Sequence, residues 1–479
     1  MEHPIDTKAQ LRVACGIACK LLSVLLMNQA LFPLFDAVFT YARDISITVS
    51  SSALIAVAMV AIWRPRLIDA RKAGLVLALG AVASAAGIAG GLSTGWPWLL
   101  VLGACLATTC RSLLTLTADL AAVSLPPGRM VVCVTGGVLA AHVADLALAG
   151  LDPLVCSLLC VAVLPLATLA LCGPAAAQLV SGTAEAEPAA ELSITRPATF
   201  LPLTSTLYVF QFIVYAAFGF ALRFGEVNGA PSFSTALSVA ALATLLAVAV
   251  ARRKKPAALD ALCGVVALAL LSGLMLAAVR APGAEVLANT VLMVGNSLYS
   301  VFIVCLLVTL SQRNPVNALS VFGWVNGIGG LGTTLGALLG TTGNALVASG
   351  DPAAASYLAV GFATLFAAYV LFFLRGYTFE AQIAAVEPAP SEALPPSPSG
   401  EEAFQARCHA IAQRYGLTPR EEETFAMLAR GRNREHIENA LQVSRNTVKA
   451  HVKHVYAKLG IHSHQELLDL VEQGVAEKL

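Results

Sequence analysis

Residues 64–92 read RPRLIDARKAGLVLALGAVASAAGIAGGL: the basic residues Arg64, Arg66, Arg71 and Lys72, then a run from Ala73 to Leu92 without a single charge. A helix rising 1.5 Å per residue needs about 20 apolar residues to cross the roughly 30 Å hydrocarbon layer of a bilayer. An apolar run of that length with a cationic cluster at one end reads as a membrane span whose basic end faces the cytoplasm. The absence of charge continues from Gly74 to Gly103, whereas Glu401 to Leu479 is dense in charge. The average of 57% hydrophobic and 12% charged residues over 479 positions, and the net charge of +1, therefore hide two different materials. Soluble domains carry about 25% charged residues.

Outward from this stretch the pattern repeats. Apolar spans fall near residues 12–33, 45–63, 73–92, 97–118, 130–150 and 153–173, and after a polar, acidic interval (Gln178 to Pro197) near 200–223, 232–251, 257–279, 284–311, 317–346 and 353–375. Basic loops alternate with them. One side collects Lys8, Arg12, Arg64, Arg66, Arg71, Lys72, Arg129, Arg196, Arg252, Arg253, Lys254, Lys255, Arg313 and Arg375, and the other only Arg43, Arg223 and Arg280. An even number of spans places both termini in the cytoplasm of a multi-pass protein of the inner (cytoplasmic) membrane. The first span contains Lys20 and lacks a small-residue cleavage site, so it reads as a span and not a signal peptide. Of the eleven cysteines only Cys408 lies outside the apolar runs, which reads as buried thiols and not as a metal site or a disulfide set.

The strongest basic clusters follow the second span of each half, a weak internal duplication. With the acidic central loop, residues 10–378 resemble the major facilitator superfamily, a fold of two six-helix halves around a central cavity. The loop Trp63 to Lys72 retains the charges of that family's loop after span two without its full pattern. The resemblance implies that spans one, four, seven and ten line the cavity, which places Lys20, Arg111, Gln211, Asn289 and Asn296 as candidate ligand contacts. Ionisable groups cost roughly 3 kcal/mol or more at mid-membrane. Lys20 and Arg111 therefore either meet an anionic ligand, or snorkel to the interface and pair with Asp119 and Asp145. His142 and Asp145 lie three apart on one helical face, which suits a buried hydrogen bond better than a proton relay. The glycines between Gly323 and Gly340 read as close helix packing.

Glu387 to Gly400, EPAPSEALPPSPSG, is a Pro- and Ser-rich tether between the membrane domain (1–378) and a cytoplasmic domain (403–479), with the linker spanning 379–402. About 25 residues of flexible chain reach only about 25–30 Å, so whatever the cytoplasmic domain binds must approach the membrane. Beyond the tether, Leu417-Thr418-Pro419-Arg420-Glu421 opens a helix: Thr418 caps it, Pro419 takes the first position and Glu421 completes a capping box. Gly431 ends that helix, and Asn433 caps a short one through Ile437 to Ala440. Ser444 then caps a third, in which Val448, Val452, Val455, Tyr456 and Leu459 recur at helical spacing and Gly460 terminates. Its other face carries Arg445, Lys449, Lys453 and Lys458, with His451 and His454. Ser463 and Glu466 cap a fourth helix. From Arg430 to Lys458 there are seven basic and two acidic residues, so phosphate affinity is concentrated there.

These residues resemble the LuxR (NarL/FixJ-type) helix-turn-helix family over about Leu417 to Val475. The matches include Leu417-Thr418-Pro419-Arg420-Glu421, Gly431, Val443-Ser444, Thr447-Val448-Lys449, His451-Val452 and Lys458-Leu459-Gly460-Ile461. The resemblance implies that the third helix enters the major groove through Arg445, Asn446, Thr447, Lys449 and Lys453. It also implies a dimer face on the fourth helix with Leu467, Leu468 and Val471. Glu438 departs from the family, which favours Ala at that position.

The chain is thus expected to be all-α: a twelve-helix transmembrane bundle, six plus six, followed by a small four-helix helix-turn-helix domain. No catalytic triad, phosphate-binding loop or kinase signature is evident, so the protein is expected to be no enzyme, with no cofactor and no metal. The expected partners are promoter DNA, the lipid bilayer, an unknown small-molecule ligand, and a second copy through the C-terminal domain on DNA. The leading reading is a membrane-embedded one-component transcription regulator. The alternative is a secondary transporter whose C-terminal domain is regulatory, binding DNA or protein.

Overall fold

The computed structural model describes residues 7–185, 197–226, 231–251, 259–279, 281 and 283–373, and, towards the C-terminus, 408–409, 411–429, 437–438, 441, 444–461 and 466–467. The chain divides into two compact units, Met1–Pro395 and Pro396–Leu479. The 379–402 tether lies outside the described residues.

The first unit is built from long helices: α1 (Thr7–Asp36), α2 (Ala42–Trp63), α3 (Ala70–Thr94), α4 (Pro97–Ala122), α5 (Pro127–Leu148), α6 (Pro153–Gly182), α7 (Pro197–Arg223), α8 (Ala236–Ala251), α9 (Leu259–Ala277), α10 (Ala284–Arg313), α11 (Ala318–Ala348) and α12 (Pro352–Phe373). Among the described residues, α1 to α6 and α10, seven helices, are long and apolar enough to cross a membrane. Shorter apolar helices run over Tyr208–Arg223, Ala236–Ala251, Ala261–Ala277 and Ser356–Phe372. α11 is long, but its many Gly, Thr and Asn residues dilute its hydropathy. Start signals recur: Pro97, Pro127 and Pro153 occupy first-turn positions, where the missing N–H is not needed. Asp69 caps α3, accepting from the N–H groups of Arg71 and Lys72 at 3.1 Å. In α1 and α6 the helix widens into a π-turn at Met27–Leu31 and Leu159–Val163. Pro33 and Pro165 stand two residues beyond them; a proline ring clashes with the carbonyl four residues back, and an extra residue in the turn relieves it.

Packing follows the duplication. Across the two halves, α2 lies against α11 and α5 against α8, and each pair maps onto the other by a shift of six helices. α11 can approach two partners because its glycines occupy two faces. Gly323 and Gly327 face α2, where an added Cβ would sit 3.0 Å from the Leu54 oxygen and 2.9 Å from the Ser51 oxygen. Gly332 and Gly336 face α7, where it would overlap the carbonyl oxygens of Phe212 and Ala216. Without polar water between helices, such backbone approach is what drives association. Leu75, Val76, Leu79 and Val82 of α3 face outward and exposed, as do Trp63, Trp96 and Trp98 at helix ends, the distribution expected of lipid-facing helices with interfacial aromatics.

The second unit has its own core of Cys408, Ile411, Phe425, Leu428, Ile437, Val448, Val452, Val455, Leu459, Ile461 and Leu467. Its longer described helices are α13 (Pro419–Ala429) and α14 (Arg445–Leu459), packed on each other. Gly431, Asn433, Ser463, Leu468 and Val471, to which caps, helix ends or a dimer face were assigned from sequence, lie outside the described residues.

Candidate ligand cavity and nucleic-acid interface

The membrane unit encloses a cavity of about 190 Å³ lined from α1, α2, α4, α5, α7, α10 and α11. Lys20, Arg111, Gln211 and Asn296 all line it, with Asp119, His142, Tyr215 and Asn326. Asn289 does not. It is fully buried, and its amide donates to the Phe224 and Ser232 carbonyls at 2.7 and 3.2 Å, so it ties the α7–α8 connection. It shares a helical face with Asn296, one heptad away, but at its level the bundle is closed.

Within the cavity the two cations differ. Lys20 forms an ion pair with Asp119, which is 1% exposed, and Asn326 approaches the same oxygen at 3.5 Å. Arg111 has no carboxylate partner among the described residues; one of its terminal nitrogens donates to the Ser112 hydroxyl at 3.0 Å, and its Nε is buried without a hydrogen bond. Gln211 is spent on the protein, donating to the Val325 carbonyl at 3.2 Å and accepting from Tyr299 at 2.5 Å. His142 Nδ1 lies 3.0 Å from the Val138 carbonyl and Nε2 2.8 Å from the Ser297 hydroxyl. A ring nitrogen facing a carbonyl must carry the proton, and the Ser297 hydroxyl beside Nε2 itself donates to the Met293 carbonyl at 2.8 Å, so both ring nitrogens are held within the bundle. Asp145 accepts instead from Gln29 at 3.0 Å. His142 and Asp145 thus serve as separate buried hydrogen-bonding groups.

A second polar cluster was not legible from sequence. Arg43 and Arg223, assigned to loops, are 3% and 2% exposed. Arg223 meets Glu226 at 2.9 Å, Asp36 at 3.6 Å and Asp44 at 3.9 Å; Arg43 donates to the Asn28 side chain at 3.2 Å and stacks over Phe32. Asp36 and Asp44 come from the first half and Arg223 and Glu226 from the second, so the network fastens the halves at the end of the bundle opposite the 64–72 loop.

In the second unit, α13 begins with a capping box. The Thr418 N–H donates to Glu421 at 2.8 Å, and the Glu421 N–H donates to the Thr418 hydroxyl at 3.4 Å. Ser444 caps α14 by accepting from the Thr447 N–H, and Gly460 closes it with φ of 67°. Val448, Val452, Val455 and Leu459 turn into the core, which leaves Thr447, Lys449 and Lys453 exposed on the outer face. Arg445 and Asn446 belong to the first turn of the same helix. Lys458 departs from its assignment to the basic face: its ammonium donates to Glu421 at 2.7 Å and to the Gly416 carbonyl at 3.0 Å. A buried capping carboxylate needs a cation, and Lys458 is the one the fold brings to it. That contact, with the Thr418 N–H, holds the Glu421 carboxyl down at about 2. Leu467, assigned to a dimer face, is fully buried in the domain core, so its side chain is committed to folding. Glu438 is half-buried beside the core residue Ile437.

The geometry defines two classes in one chain: a polytopic helical bundle around a cationic cavity, and a small helical domain presenting a basic helix. The family model for bacterial regulatory proteins of the luxR family matches residues 416–471. The uncharacterized response regulatory protein YgeK of Escherichia coli (strain K12) is 40% identical over 65 residues, 13% of this chain and 44% of that protein, so the chain spans less than half of its relative. The human organic anion transporter MFSD10 (TETRAN) superposes with a TM-score of 0.50 at 14% identity, covering 77% of this chain and 99% of that one. The E. coli fucose:proton symporter FucP (N162A) gives 0.44 at 13% identity, covering 78% and 98%. Residues 416–471 of the C-terminal unit are a LuxR-family helix-turn-helix domain, and the membrane unit shares the fold of the transporter MFSD10.

Proposed function

We propose that the protein is a membrane-embedded one-component transcription regulator. The membrane domain binds a small solute in its cavity, and the cytoplasmic domain binds promoter DNA as a homodimer. The observation that carries this reading is the joining of a LuxR-family domain, with Lys449 and Lys453 exposed on its outer helix, to a bundle whose cavity holds an unpaired Arg111. α14 enters the major groove, where Arg445, Asn446 and Thr447 reach base edges and Lys449 and Lys453 meet phosphates. Solute binding biases an equilibrium of the bundle that changes the domain's availability for dimerisation on DNA. Both termini are cytoplasmic in the inner membrane, from the asymmetry of loop charge. The domains run 1–378, 379–402 and 403–479, and no catalysis is assigned.

The test is promoter binding by the full-length protein across a salt series. Lys449→Ala weakens binding and lowers the slope of log K against log salt by about 0.9, the value of one phosphate contact on duplex DNA. Unchanged affinity and slope overturn the assignment. The competing reading, a secondary transporter with a regulatory tail, draws on the cavity within a transporter-type fold; solute uptake into proteoliposomes would support it.

A further inference from the structure

We propose that the cavity of the membrane unit is a receptor for a small monocarboxylate held by Arg111, an inference that rests on the sensing role above and names its ligand class. The argument is a balance of charge. The ionisable side chains lining the cavity are Lys20, Arg111, Asp119, His142 and Tyr215. Lys20 and Asp119 neutralise each other. His142 has both ring nitrogens taken by hydrogen bonds within the bundle, so it offers a ligand no free donor, and a buried phenol stays protonated. The cation left with free donors and, among the described residues, no carboxylate is Arg111, a guanidinium with five donors, of which the Ser112 hydroxyl takes one. Its Nε is buried and unsatisfied, and so is the side-chain oxygen of Asn296 on the facing helix. Buried polar groups in native proteins are nearly always satisfied. Asp119 Oδ1 is a third such orphan in the lining, but Asp119 already holds Lys20; the other two, one of them cationic, mark the place of an absent partner.

The chemistry of that partner follows. A carboxylate pairs with a guanidinium in a planar, two-pronged arrangement, and the Asn296 amide can turn its NH2 towards the same group. A dianion brings a second charge for which the cavity has no cation, an amine meets Arg111 with like charge, and a neutral ligand leaves the guanidinium unpaired. The rest of the wall is largely apolar, with Leu25, Phe218, Met293 and Phe322. A volume of about 190 Å³ is small beside the roughly 300–1,000 Å³ of drug-sized sites, so the ligand is a short-chain acid.

Calorimetry on the full-length protein in nanodiscs tests this with four probes of one carbon number: butyrate, butyramide, butylamine and succinate. Butyrate is expected to bind, and the other three at least tenfold more weakly. Arg111→Gln abolishes butyrate binding and Arg111→Lys retains part of it. Arg111→Gln without ligand unfolds at a higher temperature than the wild type, because it removes an unpaired buried charge; this also shows that the variant is folded. Equal binding of butyramide, butylamine or succinate overturns the proposal. So does the absence of butyrate binding, or binding that survives Arg111→Gln. Butyrate binding without any change in promoter occupancy leaves the receptor standing and refutes the sensing role instead.

Discussion

Replacing Glu421 by Ala removes the α13 cap acceptor of the Thr418 N–H at 2.8 Å and the contact with Lys458 at 2.7 Å that ties α13 to α14. Losing a cap costs about 1 kcal/mol, and a hydrogen bond to a charged group contributes about 1.5–3 kcal/mol. Lys458 is 37% exposed and can swing into water, so no stranded charge adds to the loss. The expected destabilisation is about 2–4 kcal/mol. For a domain of this size each kcal/mol lowers Tm by about 4–8 °C, so the melting temperature of residues 396–479, which have their own core, falls by about 10–25 °C. Acid supplies the second arm. The folded carboxyl titrates at about 2, below the unfolded value of about 4.3. Its contribution is therefore complete above about pH 4.5 and is lost as pH falls towards 2. Glu421→Gln keeps an acceptor for the Thr418 N–H but cannot ionise; the stability gap between it and the wild type should be constant above pH 5 and close towards pH 2. Thermal unfolding followed by circular dichroism reads both. A Glu421→Ala domain within about 0.5 kcal/mol of wild type, or a gap that ignores pH, refutes the reasoning.

Three perturbations address the membrane unit. Lys20→Met strands the buried Asp119 carboxylate and should destabilise the detergent-solubilised protein by about 3–5 kcal/mol, with Lys20→Met/Asp119→Leu recovering most of the loss; equal melting of Lys20→Met and wild type would show that the pair is not formed. Arg223→Met leaves Asp36, Asp44 and Glu226 without their shared cation and should cost a similar amount, read as a lower Tm; no shift would remove the fastening role of that network. Gly336→Ala drives a methyl group into the Ala216 carbonyl and should cost about 1–3 kcal/mol by overpacking, whereas Gly264→Ala, with open space around it, should be neutral or stabilising; the reverse order would contradict the α7–α11 approach.

Local signals were readable because they act over three or four residues. The Thr418–Glu421 box, the Ser444 cap, the Gly460 stop and the valine spacing of α14 are all of this kind. Pairings across the fold were not. Lys458 looked like one more cation on a basic face because Glu421 lies a whole helix-turn-helix away in sequence. Arg43 and Arg223 fell at span ends and counted as loop charges; nothing local says that Asp36, Asp44 and Glu226 gather around them. Asn289 was placed in the cavity because the resemblance puts span ten against it, and a span's place in the bundle does not give a residue's depth. The resemblance put Leu467 on a dimer face, but an apolar residue on a short helix suits a core equally, and the core takes it. Arg111 stood out early as an ionisable residue inside a span. Its importance came from the fold, which gave Asp119 to Lys20 and left Arg111 without a carboxylate.

The central claim is that the intact, membrane-anchored chain binds specific chromosomal sites through α14. Genome-wide mapping of DNA crosslinked to the full-length protein, run beside Lys449→Ala, tests it most directly. The account predicts discrete enriched sites upstream of genes that are depleted in the variant at equal protein levels. Enrichment no different from background, or sites unchanged by Lys449→Ala, would contradict it.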